Sequence, residues 1–320
     1  MLNGKKILVS SCAGVGDLLM FTPTLRKIKE LYPQCTLTFL CNDKYKAAIS
    51  GLPYLDKVIT IKRGKTLGKM EAFKHAISQD YILFTDWQPQ ILAVSALFGV
   101  KNKTGIPKEN HFFNKLLTKS LSHNVMKSTN YAAKTNALIF SEALGININI
   151  EPTIDISQPS DSDKEKVDYL LNGLNDYICI APFAGAPERE WPYYQDFIKM
   201  VDKPVVVIGP PDKSELTIGK TSVLEMVEII KRAKLFIGPD SGPMHIAGAV
   251  GTPCIALFSR DLPSRWAPKA SSVVTLNLPC APCDNETARN CKSWECMRGI
   301  TPHQVLAATV KNLREIDYKG

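Results

Sequence analysis

Residues 234–258, KLFIGPDSGPMHIAGAVGTPCIALF, set an acid, a hydroxyl, a glycine and an imidazole close together: Asp240, Ser241, Gly242 and His245. The apolar run to Ile237 stops at the turn pair Gly238-Pro239. Asp240 or Ser241 then caps a helix through Met244, His245, Ala247, Gly248 and Ala249. Gly251-Thr252-Pro253 ends that helix, and Cys254–Phe258 reads as the next buried strand. Free backbone N–H groups at such a helix start, beside a hydroxyl, suit a phosphorylated ligand. The small residues let the helix lie close to its sheet or to that ligand. Taken singly, Asp240 is a plain N-cap and His245 a packed core histidine. Their joint placement around Ser-Gly favours a site.

A second acid follows the first strand, Lys6–Val9, in the loop Ser10-Ser11-Cys12-Ala13-Gly14-Val15-Gly16-Asp17. A dinucleotide fingerprint fits Gly14 and Gly16, with Asp43 for a ribose, but Leu19 stands where the third glycine belongs. A phosphate-binding P-loop fails too, because Gly219-Lys220-Thr221 has Ser214 in place of its first glycine. The remaining reading is a glycine-rich turn that presents Asp17 at a helix start, where the helix dipole alone also favours an acid. Further on, Gly185 between Ala184 and Ala186 lets backbone approach a ligand. Arg189 can meet a diphosphate bidentately, or pair with Glu188 or Glu190. Asp212 or Glu215, after strand Val205–Ile208, can hold ribose hydroxyls.

Elements that would position these residues alternate along the chain. Strands at Lys6–Val9, Thr36–Leu40, Lys57–Ile61 and Tyr81–Phe84 interleave with helices at Asp17–Leu31, Lys44–Ser50, Leu67–Ile77 and Pro89–Phe98, which argues parallel sheets flanked by helices. Residues 145–163 read as a linker, and the alternation then restarts. The expectation is α/β, with two Rossmann-like domains at 1–155 and 156–320 and parallel sheets facing a central cleft. The chain is 45% apolar and 22% charged, as a soluble globular protein is. No apolar run is long enough for a bilayer span and no signal peptide is seen, so a cytoplasmic protein is expected. The net charge of +8 is uneven: residues 1–155 hold 20 Lys and Arg against 11 Asp and Glu. That half is expected to meet something anionic. Lys62, Arg63, Lys65 and Lys69 cluster there, as an acceptor contact or a solvated turn. No recognition module accompanies the charge, which argues against nucleic acid.

The run D-S-G-P-M-H-I-A-G-A-V-G-T-P resembles the nucleotide-sugar motif of the family 9 glycosyltransferases, the lipopolysaccharide heptosyltransferases. The loop ending Gly16-Asp17-Leu18-Leu19 with Thr22-Pro23, and Arg189-Glu190-Trp191-Pro192 after Gly185, resemble further segments of that family, although its basic residue is commonly Lys. The resemblance implies the GT-B fold and an inverting transfer of heptose from ADP-heptose to a lipopolysaccharide-core or protein acceptor. It implies Asp17 as general base. Donor binding would fall to Gly185, Arg189, Asp212, Thr221, Asp240, Ser241, Gly242 and His245. No cofactor is implied for the chemistry, and peripheral contact at the inner face of the cytoplasmic membrane fits such an acceptor. Another nucleotide-sugar transferase, an epimerase and a non-catalytic binding or assembly module are the rivals, with a dehydrogenase more distant.

Nine cysteines are present, and Cys280, Cys283, Cys291 and Cys296 crowd into residues 280–296. A C-x-x-C pair followed by a second pair is metal-ligand grammar, with zinc or iron as candidates; two disulfides are the alternative. In a branch of the family that modifies autotransporter proteins, a comparable finger holds iron and supports assembly.

Overall fold

The computed structural model describes residues 2–62, 70–121 and 130–319. The chain divides into two compact units, Met1–Ser157 and Gln158–Gly320. Among the described residues no helix is long and apolar enough to cross a membrane.

The first unit is built on a parallel sheet. β1 (Lys6–Ser10) has its last four residues buried, and such a fully buried apolar strand belongs at a sheet centre. β2 (Thr36–Asn42) and β3 (Lys57–Ile61) lie to one side, and β4 (Tyr81–Phe84), β5 (Asn102–Gly105) and β6 (Lys119–Ser120) to the other. The order is β3-β2-β1-β4-β5-β6, so it reverses between β1 and β4. Ser10 stands in register with Leu40 on one side and Phe84 on the other. α3 (Met70–Ala76) and α4 (Pro89–Leu97) cover one face, where Leu8, Leu40, Ile82, Ile91 and Leu92 form a core.

The helix expected over Asp17–Leu31 is two helices, α1 (Val15–Leu19) and α2 (Thr22–Leu31). Pro23 lies in the first turn of α2, where its missing N–H costs nothing, and it cannot continue a preceding helix. The Thr22 hydroxyl donates to Leu19 O at 2.7 Å and accepts from Asp155 N at 2.8 Å. Lys44–Ser50 forms a 3-10 turn over Asp43–Ala48 rather than a regular helix. α5 (Ala132–Leu144) ends on Gly145 at φ +66, a left-handed cap that glycine adopts without strain. Asp155 ties the end of this unit down: Arg26 donates to it at 2.6 Å and the Tyr54 hydroxyl at 2.8 Å. Asp155→Ala leaves both donors unmatched and is expected to cost about 1.5–3 kcal/mol, read from urea unfolding.

The second unit opens with α6 (Asp161–Leu171), capped by Ser160 and Asp163 reciprocally. Its sheet comprises β7 (Ile178–Ile180), β8 (Val205–Val207), β9 (Leu235–Pro239), β10 (Cys254–Phe258) and β11 (Ser272–Thr275), all parallel, in the order β11-β10-β9-β7-β8. The reversal falls between β7 and β9. Trp191 is 1% exposed and donates from Nε1 to Ile300 O at 2.9 Å. It packs with Phe197 of α7 (Tyr194–Met200), close to where α13 (Pro302–Lys319) docks. The Trp-Pro pair therefore anchors the loop after β7. α8 (Val223–Arg232) and α9 (Gly242–Val250) pack together, and a Cβ on Gly248 would come within 2.8 Å of Pro268. The small residue there permits close approach, as expected.

Candidate active site

In the second unit the site residues gather where the strand order reverses. The loop after β7 carries Arg189 and the loop after β9 carries Asp240, and ligands of such sheets bind outside the strands' carboxyl ends at this point. Asp240 is 5% exposed and His245 4%. Asp240 Oδ2 lies 3.6 Å from Arg189 Nη1, and Oδ1 lies 3.5 Å from His245 Nε2. Arg189 Nη1 also donates to the Asp240 carbonyl at 3.3 Å. Arg189, Asp240 and His245 are thus one constellation. His245 faces Trp266, of the short helix α10 (Pro263–Trp266), edge to face at 6.1 Å.

Ser241 is the N-cap of α9, but its hydroxyl makes no capping bond. Ser241 Oγ and His245 Nδ1 are enclosed without a hydrogen-bond partner among the described residues. Unmatched buried polar atoms are uncommon and mark a place for a ligand. Together with the backbone N–H groups that open α9, Ser241 can meet an anionic oxygen. A Cβ on Gly185 would meet nothing within 4 Å, so packing within the chain does not demand glycine there.

Neither flanking glutamate takes Arg189. Glu190 accepts from Ala184 N at 3.3 Å and pairs with Lys213, bracing the loop that holds Gly185. Glu188 is buried and lies 3.8 Å from Arg260. Arg189 is instead held at 3.0 Å by Asp261, which also lies 3.4 Å from Arg260. Burial pushes the Asp261 carboxyl up, while the Arg189 guanidinium pulls it down. Sequence reasoning missed Arg260 and Asp261. Their signal is position alone, immediately beyond a fully buried strand. Asp212 is exposed and Thr221 half-buried, and neither is joined to the Arg189 network. Lys213 is the residue of that stretch which reaches the loop after β7.

In the first unit Asp17 is exposed, the third residue of α1. Its Oδ2 accepts from Gly14 N at 3.2 Å, so it caps the helix while facing solvent. Asp86, just beyond β4, was also missed. Its Oδ2 accepts from Cys12 N at 2.9 Å and from Gln88 Nε2 at 3.0 Å. Burial raises its pKa, and the nearby Asp17 charge adds to the rise. Two acids therefore sit at the reversal point of the first sheet. Of the basic cluster, Lys62 is exposed, whereas Arg63, Lys65 and Lys69 lie outside the described residues.

The four clustered cysteines form no recognised metal-holding group. Among the described residues no group of three or more His, Cys, Asp or Glu is placed to hold a metal ion, and all nine cysteines are free thiols. The Cys283 backbone N–H donates to Arg260 O at 3.2 Å, and Cys291 Sγ lies 3.7 Å from Ser293 Oγ. The helix α11 (Asn285–Asn290) lies between the pairs in sequence, and Cys296 lies in α12 (Glu295–Arg298). The four thiols nonetheless lie within electrostatic reach of one another: charge on Cys283, Cys280 and Cys291 adds to the rise that burial gives the Cys296 thiol.

A family model described as Glycosyltransferase family 9 (heptosyltransferase) matches residues 87–294. The lipopolysaccharide core heptosyltransferase OpsX of Haemophilus influenzae is 23% identical over 293 residues, covering 82% of each chain. The solved structure of E. coli ADP-heptose lps heptosyltransferase II is 20% identical, with a TM-score of 0.75 over 98% of this chain and 99% of that one. The iron-containing dodecameric glycosyltransferase TibC of enterotoxigenic E. coli is 17% identical, with a TM-score of 0.64 over 100% of this chain and 81% of that one. The two structural likenesses speak to fold, and they agree with the expected α/β architecture of two parallel sheets.

Proposed function

The chain belongs to glycosyltransferase family 9, the heptosyltransferases, and we propose that it transfers heptose from ADP-heptose to a lipopolysaccharide-core acceptor with inversion. The observation that carries this reading is the Arg189–Asp240–His245 constellation beside the open start of α9. The names borne by related proteins supply the sugar and the acceptor.

On this reading the diphosphate lies against Ser241, Gly242 and the N–H groups of α9, with Arg189 as its cation. Asp240 does not touch the phosphates; it holds Arg189 and His245 in place from below. Asp17 removes the proton from the acceptor hydroxyl as its oxygen attacks the anomeric carbon. The bond from that carbon to the diphosphate breaks, and ADP leaves with the electron pair. Arg189 and the helix start are preorganised for the charge that develops. Balance requires no metal and no cofactor. A lipid-linked acceptor puts the work at the inner face of the cytoplasmic membrane, and the cationic excess of the first half suits its phosphates and acidic sugars.

Calorimetric titration with ADP, UDP, GDP, CDP and NAD tests the donor. ADP alone is expected to bind. Preference for another nucleoside diphosphate would keep the transferase and remove the heptose assignment. Binding of NAD alone, or of none, would overturn the donor site.

A further inference from the structure

The reversal point of the first sheet holds more polar chemistry than a general base requires. Ser10 ends β1 and Phe84 ends β4 in register with it. Beyond them, Ser10 O accepts from Thr85 N at 3.1 Å and Thr85 Oγ1 at 3.0 Å, which closes the two strand ends together. Three enclosed atoms at these strand ends lack a hydrogen-bond partner among the described residues: Ser10 Oγ, Asp86 Oδ1 and Trp87 Nε1. They comprise a hydroxyl, an acceptor and a donor. A buried polar group left unmatched costs about 1–3 kcal/mol, so each of these orphans calls for a partner.

Asp86 is preset for one. Its Oδ2 is fixed by Cys12 N and Gln88 Nε2, which leaves Oδ1 in a defined orientation. Trp87 adds an aromatic wall. Its ring meets His111 at 4.7 Å, and His111 stacks on Phe113 at 5.6 Å. Aromatic faces with a few placed polar atoms are the makeup of a small-molecule site.

We propose that Asp86 and Trp87, with the adjoining rings of His111 and Phe113, form a subsite for an uncharged, hydroxyl-bearing part of the acceptor sugar. This rests on the reading of the first unit as the acceptor side. Charge selects the class of ligand. Asp86 lies close enough to Asp17 for the two charges to interact, so the pair repels phosphate or carboxylate. It accepts hydrogen bonds from neutral hydroxyls, while Trp87 Nε1 donates to a ring or hydroxyl oxygen. The anionic groups of the acceptor must then lie elsewhere, on the lysine-rich surface.

Saturation-transfer NMR with free heptose tests this, with saturating ADP present to occupy the donor site. Wild-type protein is expected to bind the sugar, and a heptose monophosphate no more tightly. Asp86→Asn and Trp87→Phe are each expected to weaken heptose binding at least fivefold, with ADP affinity changed less than twofold. Trp87→Phe keeps an aromatic ring, so it stands if Asp86→Asn disturbs the loop. Unchanged heptose binding in both folded variants, no heptose binding by the wild type, or tighter binding of the phosphate would overturn the subsite. Failure of ADP to bind would instead sink the donor reading, and heptose titrated without nucleotide then still decides the subsite.

Discussion

Asp17→Asn is expected to slow ADP release in the presence of lipopolysaccharide-core acceptor by about 10²–10⁴-fold, the usual contribution of a positioned base. The choice of asparagine matters. Asp17 accepts from Gly14 N within the first turn of α1, and an amide oxygen can continue to do so. The substitution therefore spares the cap while removing the carboxylate's ability to take a proton. ADP affinity should stay within twofold if Asp17 acts only on the acceptor, as proposed. A variant that retains activity within threefold of wild type would leave Asp17 as a helix cap and nothing more.

Asp240→Asn should act on the opposite ledger, with ADP affinity reduced about 30-fold or more, equivalent to about 2 kcal/mol, the low end for losing one member of a buried charge pair. The carboxylate is nearly inaccessible and divides its two oxygens between Arg189 and His245. Once it is neutral, Arg189 has Asp261 at 3.0 Å as its remaining carboxylate. The guanidinium is then drawn toward β10 and away from the start of α9. Calorimetry reads the affinity, and an unchanged thermal midpoint separates this from unfolding. ADP binding within threefold of wild type would show that Asp240 only supports the turn.

What could be read in the residues and what could not divides along physical lines. The strand, turn and helix of 234–258 declare themselves because a fully apolar run, a Gly-Pro stop and a small-residue helix are each local signals. β5 and β6 were not expected, since Asn102–Gly105 and Lys119–Ser120 are short and polar. β11, whose residues are only partly buried, was missed for a similar reason at the other sheet's edge. Those strands exist because a neighbour offers a ladder, which no local pattern reports. The break at Met20–Phe21 has its local signal in Pro23, which the longer apolar period of Leu18–Leu31 masks. In the site, Arg189, Asp240 and His245 came from motif and chemistry. Asp86, Arg260 and Asp261 did not, because a single charge after a strand looks like any solvated turn. Only strand order makes them neighbours of the site, and the order is a long-range property. Arg189 was weighed against pairing with its chain neighbours, yet its partners lie 51 and 72 positions away.

Arg260 belongs to two places at once. Its side chain faces Glu188 and Asp261, beside Arg189, while its backbone oxygen receives Cys283 N–H and its Nη1 donates to Asp284 O at 3.3 Å. Residues 283–284 and the loops after β7 and β10 therefore share a mechanical joint. A reagent that modifies the thiol of Cys283 will tug on the guanidinium that sets the charge balance around Asp261. Loss of nucleotide affinity after thiol blocking, the customary sign of a cysteine in an active site, would carry no such meaning in this enzyme.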